Sequence, residues 1–329
     1  MAKSAVVLLA LVVVSQPSTP AANQRSPIFR FHTDEFWLNL HHFLYVLGRA
    51  QAKMPDASRE AVVGAPADSD AGLANLTADE RQAWREAVAF YANGPSRKDA
   101  LFDAPMSAAA AALADAGDRE GLAGVDTIDA SWRAQLEQAA PVYRKGWWPS
   151  HRAANAGRRD DIQSLVDRRG AAVLAFVTRV YGMDWPAEGY PVHFSAWANW
   201  AGAYSTSGGV IVVSSTDRAA RGLAGLEIAF HEGMHQWDRQ VNTLLFGEAR
   251  RTGKRLPPNL SHAMIFFTAG EAVRCVVPEH VPYAQANGLW DTAYRGFREP
   301  LEETWKPYLD GHGTRDDAIA AVVKRVGGS

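Results

Sequence analysis

The sequence predicts an α+β fold, predominantly helical, with a small β-sheet packed beside one helix. Three observations predict it. Most of the chain carries apolar residues at helical spacing or runs of alanine, the best helix former. Only two short stretches, 190–195 and 209–214 (Gly-Val-Ile-Val-Val-Ser), are β-branched and bounded by Gly and Ser in the manner of strands. Both precede, within a short distance, an amphipathic stretch from about 217 to 243 that holds the most distinctive cluster of polar side chains in the chain.

The first 22 residues read as an export signal. Lys3 supplies a positive start, Ala5 to Val14 form an unbroken apolar run, and Ser15 to Ala22 are small residues and prolines suited to cleavage. That run is too short to cross a bilayer, which needs about 20 residues. The expectation is a secreted or periplasmic protein with no stable membrane anchor after cleavage. Cys275 is the only cysteine of the 329 residues, so no intramolecular disulfide can form, and it reads as a small buried hydrophobe. The net charge of −2, from 34 Lys+Arg and 36 Asp+Glu, lacks the basic surplus a nucleic-acid partner requires.

Beyond the signal, the apolar run 36–47 predicts a buried helix capped by Thr33 or Asp34 and ended by Gly48. Thr77 to Tyr91 has a cap, early acidic residues and apolar positions 84, 88 and 91, which predicts a second helix. Alanine-rich segments 108–114 and 130–140 continue the helical pattern. Residues 145–151, with Trp147-Trp148-Pro149, read as a loop before a long helix from about 160 to 181, stopped by Gly182. Further helices are expected at 259–277 and 299–309. The organisation predicted is a signal at 1–22, a helical N-terminal region at 23–160 and a catalytic region at 161–329.

The chemistry centres on His231-Glu232-Gly233-Met234-His235. Four-residue spacing on a helix places both imidazoles on one face, where both can bind one metal ion. Two neutral imidazoles plus a carboxylate suit Zn2+, leaving one position for water. Glu232, displaced about 100° around the helix, can reach that water as general base. The surrounding sequence supports a helix: Leu223, Leu226, Phe230, Met234, Trp237 and Val241 form a buried stripe, flanked by Glu227, His231, His235 and Asp238. Gly233 costs about 1 kcal/mol relative to Ala and suggests a close approach by another group.

For the third ligand, Glu271 stands in a very apolar helix and needs a partner that zinc would supply. Arg274 could be that partner instead, in which case His262, Glu248 or His280 could complete the site. The histidine pair with Glu232 between, followed by a helical Glu271, resembles the gluzincin group of zinc peptidases over residues 190–280. The resemblance implies a metallopeptidase acting on peptides or proteins, with metal ligands His231, His235 and Glu271 and Glu232 as the catalytic base. The gluzincin pattern often places an Asp four residues after the ligand Glu. Here that position is Cys275, so Glu227 or Asp238 are candidates to orient a histidine. Tyr283, Tyr294 and His280 are candidates to stabilise an oxyanion.

His41 and His42, in an apolar helix, read as core histidines. His151 reads as a core or cleft residue, the tryptophans as core, and Arg158-Arg159 as a solvated face. Residues 209–214 read as an edge strand able to pair with an extended peptide, although an interior strand would carry the same apolar run. Two further functional classes fit the sequence. One is a zinc amide hydrolase acting on cell-wall peptides; the other is an exported protein that binds glycan or peptide without catalysis.

Overall fold

A computed structural model describes residues 27–53, 71–199, 201–206 and 209–328. The expected signal at 1–22, the expected loop from 55 and Trp200 lie wholly or largely outside these residues. The fold is predominantly helical with one four-stranded mixed sheet of order β1-β2-β4-β3. The strands are β1 (Phe29–His32), β2 (Tyr190–Ser195), β3 (Ala203–Ser205) and β4 (Ile211–Ser214). β1, β2 and β4 run parallel, and β3 runs antiparallel along β4.

In the first half the helices are α1 (Phe36–Gln51), α2 (Ala78–Asn93), α3 (Ala104–Ala116), α4 (Ala130–Gly146) and α5 (Trp148–Leu165). Thr77 caps α2 in a full capping box with Glu80. Asp103 and Asp129 cap α3 and α4 through their carboxylates. Gly48 does not end α1. Instead it lets α2 approach, since a Cβ there would lie 2.9 Å from the Ala92 nitrogen and the Tyr91 Cβ. The cap of α1 is Glu35, not Thr33 or Asp34, and its side chain makes no capping bond. The expected loop at 145–151 is the junction of α4 and α5, where Trp147 and Trp148 are buried.

α5 passes through a five-residue π-turn, Val166–Gly170, into α6 (Ala171–Tyr181), which Gly182 stops at φ +62°. A division at residue 160 therefore falls inside α5. The remaining helices are α7 (Leu223–Met234), α8 (Asp238–Thr252), α9 (Leu260–Val276), α10 (Tyr283–Ala286), α11 (Arg298–Thr304), α12 (Lys306–Leu309) and α13 (Arg315–Val326). The helix expected across 217–243 is broken by a 3₁₀ turn at His235–Trp237, and it starts only after Gly222.

Alternation along the strands sorts residues into two cores, one on each face of the sheet. Phe29, Val192, Phe194, Ile211 and Val213 pack with α6, α7 and α9. Tyr204 and Val212 pack with α1 to α4. His42 of α1 reaches through to the sheet, bonding Ser195 Oγ at 3.1 Å and the Tyr204 hydroxyl at 2.7 Å. Three expectations need correction. Cys275 is exposed rather than buried. Arg158 is 1% exposed rather than solvated, its guanidinium donating to the Asp217 carbonyl. Finally, 211–214 is an interior strand with all four residues buried, and the outer strand beside it is β3. Among the described residues no helix is long and apolar enough to cross a membrane.

Candidate metal centre

α7 presents His231 near its C-terminal end, and His235 opens the 3₁₀ turn that follows. The i, i+4 relation survives the change of helix type. The Nε2 atoms of His231 and His235 lie 3.0 Å apart, and the rings meet edge to face with centroids 4.6 Å apart. A third imidazole comes from the first turn of α9, which packs directly on α7. His262 Nε2 lies 3.2 Å from His231 Nε2. Phe266, one turn further along α9, lies against the His231 ring at 3.7 Å between centroids and fixes its plane.

The outer ring nitrogens hold two of these side chains in place. His235 Nδ1 lies 2.9 Å from Asp238 Oδ2, which accepts its proton. His262 Nδ1 lies 2.9 Å from the Tyr294 hydroxyl. With Nδ1 protonated and bonded, each Nε2 presents a lone pair towards the centre of the group. Burial, reinforced by the neighbouring imidazoles, holds His231 and His262 well below the ordinary histidine range, so both rings are neutral near pH 7.

Three imidazole Nε2 atoms facing one another at 3.0 and 3.2 Å bring their lone pairs into mutual repulsion. A cation resolves this. Two nitrogens each 2.0–2.1 Å from a tetrahedral zinc ion lie about 3.3 Å apart, close to the spacing here. His231, His235 and His262 thus form a group able to hold a metal ion. Glu232 is 5% exposed and follows His231 directly on α7. Gly233 opposes the ring of Trp185, which a Cβ at that position would strike, so the close approach implied by this glycine comes from an aromatic side chain.

Glu271 is not brought to the histidines. Its Oε1 accepts from Arg274 Nη1 at 2.8 Å, and its Oε2 lies 3.5 Å from Lys306 Nζ. Two cations compensate the carboxylate in a separate cleft lined also by Arg179 and Asp310. Glu248 and His280 are likewise engaged elsewhere, Glu248 with Arg251 and His280 Nε2 with Glu227 Oε2 at 2.6 Å. Glu227, fully buried, also accepts from the Tyr283 backbone N–H, tying α7 to the start of α10. Burial raises its carboxyl pKa, and the hydrogen bond from His280 opposes the rise.

Of the two residues considered for orienting a histidine, Asp238 bonds one of the group, His235, whereas Glu227 bonds His280 outside it. Of the three considered for an oxyanion, Tyr294 is bonded to a histidine of the group. His262, a lone histidine at the start of an apolar helix, gives little signal in the sequence, less than a carboxylate such as Glu271 in the same helix. His41, His42 and His151 are buried among aromatic and hydroxyl partners away from this group. The chain matches no protein-family model, no curated protein and no solved structure.

Proposed function

We propose that this protein is an exported zinc-dependent hydrolase of peptide bonds. The observation that carries the proposal is the convergence of three imidazole nitrogens beside the buried Glu232. His231, His235 and His262 would hold the ion; when bound, it supplies an acidified water and a polarised carbonyl. Glu232 is the residue to accept the proton of that water and pass it to the leaving amine. Asp238 and Tyr294 fix the imidazoles, so the ligand lone pairs keep their direction through the reaction.

Peptide is preferred over other amides because of β3. It is the outer strand of the sheet and packs against α7. Gly202 and Thr206 are bonded to β4, through Ser214 N–H to the Gly202 carbonyl and Thr206 N–H to the Val210 carbonyl. Strand alternation then turns the backbone groups of Ala203 and Ser205 to the outer edge. That edge offers main-chain hydrogen bonds to an extended peptide. The gluzincin resemblance supports the catalytic pair of His231 and Glu232, while the three-histidine group departs from its Glu271 ligand. Export rests on the N-terminal segment alone. A mixed peptide library incubated with zinc-loaded protein and read by mass spectrometry tests the proposal. Cleavage lost in Glu232→Gln with zinc retained supports it, and no cleavage of any peptide speaks for the binding protein.

A further inference from the structure

A second group of potential ligands lies on the opposite face of the sheet from α7. β1 and β2 pair in parallel register so that His32 stands beside His193. The two rings stack with centroids 4.8 Å apart and 20° between planes. Three residues after His32, Glu35 ends the connection into α1, and its side chain is not used as a helix cap. Its Oε1 lies 3.4 Å from Nδ1 of His32 and 3.4 Å from Nδ1 of His193. Both separations match the about 3.3 Å edge of a tetrahedral zinc site.

Two atoms here lack a hydrogen-bond partner although buried: Glu35 Oε2 and His193 Nδ1. Glu35 is 7% exposed and His193 8%. Buried polar atoms without partners cost free energy, so each calls for something to bind. His32, with 41% of its side chain exposed, leaves the group open to solvent on one side. We propose that His32, Glu35 and His193 form a second site for a divalent first-row transition metal, independent of the His231 centre.

The donor set determines the class of ion. Two imidazoles and one carboxylate suit Zn2+, Co2+, Ni2+ or Fe2+ and disfavour Mg2+ and Ca2+, which take oxygen. The site sits where β1 leaves the core beside α7 and the chain enters the helical core of α1. An ion there clamps the N-terminal strand to β2 and ties the two cores together. This site does not rest on the proposed hydrolase reading.

Isothermal titration of metal-free protein with Zn2+ tests it. Wild type takes up two equivalents with affinities tighter than about 10 µM. His32→Ala, a change at a solvent-facing residue, and Glu35→Gln each take up one and keep any hydrolytic activity of the wild type. The double variant His231→Ala/His235→Ala retains the equivalent that His32→Ala loses. Mg2+ at millimolar concentration does not displace it. His32→Ala or Glu35→Gln taking up as many equivalents as wild type overturns the proposal, whether or not the double variant folds.

Discussion

His262 Nε2 lies 3.2 Å from His231 Nε2, although the two residues sit on different helices and 31 positions apart in sequence. This contact is what makes a local two-histidine motif into a three-point cradle. It depends on α9 lying against α7, with Phe266 packed on the His231 ring.

Removing the groups that aim the imidazoles should weaken the metal without unfolding the protein. Asp238→Ala leaves His235 Nδ1 without its acceptor, and Tyr294→Phe does the same for His262. Losses of metal affinity at such outer contacts are typically 10–100-fold. Competition for zinc against a chromophoric chelator measures this. Unchanged affinity in both variants would remove the orienting role.

Gly233→Ala should destabilise the protein by about 1–3 kcal/mol, the cost of overpacking a filled site. The new methyl meets the Trp185 ring, which is fixed by its own bond from Nε1 to the Ile28 carbonyl at 2.8 Å. A denaturant midpoint equal to that of wild type would show that Trp185 can move aside.

The histidines of the helical core predict an acid limit to stability. Burial lowers His41 from 6.5 to about 3 and His151 from 6.5 to about 4. The unfolded chain therefore takes up protons first as pH falls. Stability is complete above about 6.5 and declines as pH drops towards the folded values. His41→Asn keeps a polar atom facing the Tyr91 hydroxyl but cannot titrate. In metal-free protein it should show a shallower fall of the urea midpoint between about pH 6.5 and 4, and an unchanged slope would refute the assignment.

The proposed pairing of substrate along β3 predicts a split between binding and metal. Ser205→Pro removes an N–H that strand alternation turns away from β4 and leaves the bonds to β4 intact. It should raise KM for extended peptides several-fold with zinc content unchanged. Pro at Ile211 or Val212 instead strikes an interior strand and should unfold the sheet. Equal KM in Ser205→Pro would remove β3 as the substrate shelf.

The parts legible in the sequence were those set by local periodicity. The cap and early acidic residues of α2, the strands at 190 and 211, and the His231/His235 pair all depend on residues close in sequence. What was not legible depends on distant partners. Phe29–His32 is too short to declare itself a strand without Tyr190–His193 beside it. Glu271 stood in an apolar helix and read as a metal ligand because Lys306, 35 residues on, could not be seen to reach it. The break at His235 is silent in the sequence, since the apolar stripe of α7 continues through Trp237 to Val241 in α8.

The three-histidine centre is most directly tested by anomalous diffraction at the zinc edge from crystals of zinc-loaded protein. A peak is expected about 2.0–2.1 Å from the Nε2 atoms of His231, His235 and His262 together, with none at Glu271. A peak bonded to Glu271, or no peak among the three imidazoles, would contradict it.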